Sequence, residues 1–182
     1  MPHDHDPLSG DEIRRHLGEI ADELAAAGSQ HRVIIVGGAL LALHDLRLST
    51  YDIDSVTPVD AELRNAAARV AARHGLGVDW LNDHARSFTP LTLDHECCEV
   101  LFEGARLVVL GAPFDQVFVM KLYRGSPQDV EDMVAIWNRC AFDSPQDAVA
   151  LFERAYPQVL DDPHLVDFVG WIADRAHGRA SG

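Results

Sequence analysis

Lysine is nearly absent from this 182-residue chain: there is one, Lys121, against fourteen arginines. A lone lysine in such a sequence is either chance or the mark of a place where a compact ammonium is wanted rather than a planar guanidinium. Cysteine is also scarce. Cys97, Cys98 and Cys140 make an odd number with two of them adjacent, which excludes an oxidised disulfide framework and points to a reducing cytoplasm. Positive charge is short overall, with 15 Lys and Arg against 29 Asp and Glu, a formal net charge of -14. Phosphate backbones repel such a chain, so broad non-specific nucleic-acid binding is excluded. Polyphosphate would be held only locally, through cations or a few placed arginines. No apolar run approaches the ~20 residues of a membrane span, so no membrane partner is expected. The start, Met1-Pro2-His3-Asp4-His5-Asp6, is polar and acidic and lacks the features of a signal peptide.

With 47% hydrophobic and 24% charged residues the composition is that of a globular domain. Residues 1–8 read as a flexible tail. Ser9 and Glu12 have capping-box spacing ahead of Ile13, Leu17, Ile20 and Leu24, which predicts a helix up to Ala27-Gly28. Val33 to Val36 is a β-branched run suited to a buried strand, and Gly37-Gly38 ends it at once. A short helix follows through His44, then a strand over 51–56. Asp60 caps a third helix that closes at His74-Gly75. Residues 76–94 read as irregular or as a short helix. Cys98 to Phe102 and Arg106 to Leu110 predict a hairpin around Glu103-Gly104-Ala105. Four helices then follow from Phe114, Pro127, Pro145 and Pro163, each opened by a proline near its first turn. The plan is an α/β core over 9–112 and a C-terminal helical region over 113–182.

Three features carry chemistry. Gly37-Gly38 sits where a buried strand turns into a helix, where glycine permits a tight turn and lets an anion approach backbone amides. In Asp52-Ile53-Asp54 the strand period puts both carboxylates on one side and Ile53 in the core. Two such carboxylates repel, and oxygen-only donors suit Mg²⁺ or Mn²⁺ between them rather than zinc. The third feature is Lys121-Leu122-Tyr123-Arg124 with Asp129 and Asp132 after a Gly125-Ser126-Pro127 turn, which would fold the chain back on itself. Each has a plainer reading, as a turn, a solvated strand edge and first-turn acids favoured by a helix dipole. Their order and spacing argue for the chemical one.

The run Val36-Gly37-Gly38-Ala39-Leu40 through Arg47, Thr50 and Asp52-Ile53-Asp54 resembles the signature of the nucleotidyltransferase superfamily. Lys121, Arg124, Asp129 and Asp132 look like the later motif of its AbiEii/MenT-like branch, which supplies toxins of bacterial toxin–antitoxin systems. The likeness spans about residues 31 to 140. It implies a nucleotidyltransferase-like mixed sheet and transfer of a nucleoside monophosphate from an NTP to an acceptor hydroxyl. RNA, protein or a small molecule would be the acceptor, and a cognate toxin or antitoxin the partner. In that scheme Gly37 and Gly38 hold the triphosphate, and Asp52 and Asp54 bind the metals. Lys121 neutralises phosphate charge, Asp129 orients it or the acceptor, and Arg47, Thr50 and Arg124 support the nucleotide.

Two departures stand out. Gly38 occupies a position where many relatives have serine, and no later strand offers a clear third carboxylate; Glu99 and Asp79 are the two on offer. The alternative is a catalytically weakened binding or regulatory module acting through a protein partner. The remaining chemistry-bearing residues read as structural. His3-Asp4-His5-Asp6 reads as a solvated tail and Cys97-Cys98 as packing. His44 is a packed helix residue, and Trp80, Trp137 and Trp171 are core or helix-packing side chains, with Trp80 also next to a conceivable base pocket.

Overall fold

The computed structural model describes residues 6–24 and 27–180, without the side chains of 179 and 180. His3, Asp4 and His5 lie outside the described residues, as does the end of the expected first helix at 25–26. The described chain forms two compact units. One comprises residues up to Phe88 together with His95–Ala112, and the other Thr89–Asp94 with the residues from Pro113 onward.

The first unit is built around a five-stranded mixed sheet. Its elements in order are α1 (Gly10–Glu23), β1 (His31–Val36), α2 (Gly37–Leu43), β2 (Ile53–Ser55), α3 (Ala61–His74), β3 (Leu81–Asn82), β4 (Glu99–Glu103) and β5 (Leu107–Gly111). The strand order is β3-β2-β1-β5-β4. β1 runs parallel to β5 and antiparallel to β2, β2 is parallel to β3, and β4 closes the other edge antiparallel to β5. The expected α/β class and mixed sheet are borne out.

Local chemistry accounts for the element ends. Ser9 caps α1 in a capping box with Glu12, and Asp60 caps α3 by accepting from the Leu63 amide. Gly75 closes α3 in the left-handed region at φ 68°, where a glycine avoids the Cβ clash. α1 stops at Glu23, short of the expected end. Leu8, read as part of a loose tail, is instead buried, and its backbone exchanges two hydrogen bonds with Thr50. Residues 76–94 contain a two-residue strand and a 3-10 turn at His84–Phe88. The Cys97-Cys98 pair precedes β4, with Cys97 in a 3-10 turn, and none of the three cysteines forms a disulfide.

One apolar layer of this unit joins Ile13, Leu17 and Ile20 of α1 and Leu63, Ala66 and Val70 of α3 to Val33, Ile35, Ile53, Leu107 and Val109 of the sheet. Burying a Leu, Ile or Val side chain contributes about 1.5–3 kcal/mol, so this layer supplies most of the force that closes the unit. Trp80 joins it fully buried, and its indole N–H donates to the Ala67 carbonyl oxygen at 3.1 Å. Trp80 is therefore a core residue that also borders the cavity lined by Asp52, Asp79 and Asn82.

The second unit holds α4 (Phe114–Arg124), α5 (Pro127–Ile136), α6 (Pro145–Ala155) and α7 (Leu165–Ala180). Phe118 meets Trp137 and Phe142 edge-on at 5.4 and 5.5 Å between centroids. Tyr123 stacks on Tyr156 at 4.4 Å. The segment Thr89–Asp94 is tied into this unit by the Leu91 amide on the Ala155 carbonyl and by Thr92 on Gln116. No helix among the described residues is long and apolar enough to cross a membrane.

Candidate active site

The turn between β1 and α2 is the nucleus of the site. Gly37 lies at φ 64°, a conformation costing most other residues about 1–2 kcal/mol. A Cβ built on it would stand 3.7 Å from Asp54 Oδ2. At Gly38 a Cβ would come within 2.6 Å of Thr50 Oγ1 and 3.3 Å of Arg47 Nη1. The two glycines thus answer different needs, one of backbone and one of space. Val36, the residue before α2, makes no side-chain cap, so the first amides of the turn are not satisfied by a side chain at that position.

Asp52 and Asp54 flank the fully buried Ile53, and both are partly exposed. This is the alternation the strand period dictates, although Asp52 lies just before β2 rather than in it. Asp54 is paired with Val36 of β1 on one side and Asn82 of β3 on the other. Thr50 Oγ1 reaches Asp52 Oδ1 at 3.5 Å, and the Leu8 bridge fixes its backbone. Arg47 donates from Nε to the Ser49 carbonyl oxygen at 2.9 Å. Of the residues expected here, Gly37, Gly38, Arg47, Thr50, Asp52 and Asp54 share one neighbourhood. A cavity of about 540 Å³ opens beside it, lined by Asp52, Asp79, Asn82, His84 and Tyr51 among others.

Glu99 is not part of this neighbourhood. It pairs with Gly111 on the far edge strand, in a row that continues to Ile35 and Ser55. Three strand spacings separate β4 from β2, about 14 Å. Its carboxylate instead stands 3.3 Å from His44 Nε2. Glu99 therefore cannot share a metal with Asp54. The residue directly across from Asp54 is Asn82, 2% exposed, whose Oδ1 accepts from the His84 amide and whose Nδ2 donates to the Asp79 carbonyl. No sequence signal announced it, because a two-residue strand has no period to read. Asp83, next along, is held below the usual carboxylate range. Burial opposes this, but the Val59 amide and the Arg64 and Arg86 charges outweigh it.

In the second unit the turn after α4 folds the chain back as the Gly125-Ser126-Pro127 sequence predicts. Lys121, 4% exposed, donates from Nζ to Asp132 Oδ2 at 2.6 Å and to Asp129 Oδ1 at 3.2 Å. Asp129, with no exposed surface, also accepts two bonds from the Arg124 guanidinium at 2.7 and 2.5 Å and caps α5 through Ser126. Burial raises the Asp129 pKa, but Arg124, Ser126 and the Lys121 charge outweigh it and hold the carboxyl at about 2. Lys121, Asp129 and Asp132 form one buried ion-pair cluster, which the exposed Arg124 joins from the surface through Asp129.

Asp52, Asp54 and Thr50 offer carboxylate and hydroxyl oxygen, which fits a hard divalent cation. No curated protein and no solved structure matches this chain. The model of the DUF6036 family, described as a nucleotidyltransferase of unknown function, matches residues 15–161. The five-stranded mixed sheet with its helices is a nucleotidyltransferase-like fold, and the chain belongs to that family.

Proposed function

We propose that this protein is a metal-dependent nucleotidyltransferase that moves a nucleoside monophosphate from an NTP to an acceptor hydroxyl. The reading rests on one observation: the Gly37-Gly38 turn is walled by Asp54, Thr50 and Arg47, with Asp52 on the same side of the strand. The acceptor oxygen bonds to the α-phosphorus, the bond to the β-phosphate bridge breaks, and pyrophosphate leaves while the hydroxyl proton passes to water. Asp52 and Asp54 would hold Mg²⁺ or Mn²⁺, which when bound neutralises charge on the entering and leaving oxygens. The turn amides and Arg47 orient the triphosphate. Thr50 holds the Asp52 carboxylate, so the protein contributes positioning more than a strong base. Asp79 lines the same cavity as Asp52 and replaces Glu99 as the further carboxylate on offer.

The later motif supports placing the chain with the AbiEii/MenT-like toxins, with Lys121, Asp129 and Arg124 taking part in transfer and a cognate toxin or antitoxin as partner. A net charge of -14 favours an acceptor other than a bulk polyanion, so protein and small-molecule hydroxyls stand beside RNA. A second reading has a specific observation behind it: Asn82 stands across from Asp54 where an acid would complete a carboxylate trio. It makes the chain a weakened module that binds a protein partner. Incubation with each labelled NTP, Mg²⁺ and a lysate, with RNA, protein and small-molecule fractions counted separately, decides between them. Transfer by the native chain that is lost in Asp52→Asn/Asp54→Asn supports the enzyme. No label from any of the four NTPs, or equal transfer by the double variant, refutes it.

A further inference from the structure

On the helical side of the first unit, away from the glycine turn in sequence and element, three metal-ligating side chains meet. His16 and Glu19 lie three residues apart on α1, which puts them on one helix face, and His74 is the last residue of α3. The ligand atoms of these three side chains all lie within 4.8 Å of one another. Glu19 accepts from His74 Nε2 at 2.8 and 3.0 Å. The two imidazoles are 4.5 Å apart between ring centroids, and Trp80 packs edge-on against His16 at 5.6 Å.

Surface ion pairing explains part of this arrangement. Arg73 donates to Glu19 and Glu23, and Arg69 to Glu23, tying α1 to α3. Ion pairing does not explain His16. Its side chain is 2% exposed, and Nδ1 is a buried polar atom that makes no hydrogen bond. Glu19 Oε1 stands 3.6 Å from it, outside hydrogen-bond reach. A buried polar atom without a partner costs about 1–3 kcal/mol.

We infer that His16, Glu19 and His74 form a zinc site, with two imidazoles and one carboxylate as ligands and water completing four-coordination. Four-coordinate zinc with ligands at about 2.0–2.1 Å places neighbouring donors roughly 3.3 Å apart, so the present spacing of up to 4.8 Å would contract on binding. The nitrogen-bearing donor set separates this site from Asp52 and Asp54, which offer only oxygen. The site clamps the end of α3 to α1, so its product is stability of the first unit rather than transfer.

The test is titration of the metal-free full chain with Co²⁺ and then Zn²⁺. One equivalent of Co²⁺ should give the strong visible absorption of four-coordinate nitrogen and oxygen ligation, which one equivalent of Zn²⁺ abolishes. Zn²⁺ should also raise the thermal midpoint. His74→Ala, at a partly exposed position that does not threaten the core, should weaken Zn²⁺ binding by at least about tenfold, the lower bound for damage to a metal's surroundings. His3→Ala/His5→Ala and Asp52→Asn/Asp54→Asn should leave both the spectrum and the affinity unchanged. The proposal is overturned by no visible band, by a weak octahedral spectrum, by full affinity in His74→Ala, or by loss of the band in the His3/His5 variant. None of these results bears on nucleotide transfer, which the Asp52/Asp54 variant tests separately.

Discussion

Replacing Lys121 with methionine keeps the length of the side chain and removes its charge, which isolates what the ammonium does. In the native chain Nζ bonds Asp129 and Asp132, and all three side chains are buried. Asp129 retains Arg124 and Ser126 after the change, and Asp132 retains the Gln128 amide at 3.2 Å. Two buried carboxylates are nevertheless deprived of the cation between them. Breaking a buried ion pair from one side costs about 3–5 kcal/mol, because the remaining charge stays desolvated. For a chain of this size each kcal/mol corresponds to about 2–4 °C, so the midpoint should fall on the order of 10 °C. Urea unfolding followed through Trp137, which packs on Phe118, reads this in the second unit. Lys121→Met/Asp132→Asn removes one orphaned charge with the cation and should recover at least about 1 kcal/mol relative to the single variant, as coupled neighbours do. A single variant that loses less than about 1 kcal/mol, or a double variant whose losses simply add, refutes the argument. The double variant has a second use. If it folds yet transfers no nucleotide, Lys121 serves the reaction; if transfer returns with stability, the lysine is a structural tie.

Gly38→Ala should destabilise the first unit by about 1–3 kcal/mol through overpacking. The new methyl lands on Thr50, whose backbone the Leu8 bridge prevents from yielding; a midpoint unchanged in urea would contradict this. Gly37→Ala meets only ordinary contact with Asp54 Oδ2, so it should cost about 1–2 kcal/mol of backbone strain alone. Gly37→Asn, which tolerates positive φ better, should recover part of that. The Asp129 carboxyl sits at about 2 against an ordinary 3.8. Its folded pKa is lowered, so its stabilisation is complete above pH 4 and is lost as pH falls from about 4 toward 2. The loss amounts to about 2 kcal/mol at the bottom of that window. Asp129→Asn should be less stable than the native chain at neutral pH, and the gap should narrow in acid; a gap constant down to pH 2 would contradict the assignment.

What could be read from the sequence followed the elements that carry a period or a cap. α1 and α3 were legible because Ser9, Glu12 and Asp60 satisfy first-turn amides and the apolar residues recur at helical spacing. β1 was legible because Val33 to Val36 has no other use for four β-branched residues in a row. β3 was not, since Leu81-Asn82 is too short to show alternation and is a strand only because β2 lies beside it. That omission had a consequence for chemistry. Without β3 the sequence shows no neighbour for Asp54, and Glu99 stands out instead, on a strand that is easy to read but lies at the other edge of the sheet.

The same reasoning explains which contacts of the site were foreseeable. Glycine at a strand-to-helix turn and alternating carboxylates are local properties, fixed by φ and by a two-residue period. The Gly37-Gly38 turn and the shared side of Asp52 and Asp54 therefore followed from spacing, while Thr50 entered only through the family resemblance. His16, Glu19 and His74 are brought together by the packing of two helices whose polar faces no sequence pattern aligns, and nothing in their spacing distinguishes them from solvated side chains. Asn82 belongs to this second class, and it decides most about function. An amide across from Asp54 removes one negative charge from the carboxylate group, which weakens a divalent cation's hold and also lowers the repulsion the apo site must tolerate. A site of this charge would release its metal with the departing pyrophosphate more readily than one with three acids. In the proposed transfer, positioning by the Gly37-Gly38 turn has to compensate for an acid that the fold does not supply at Asn82.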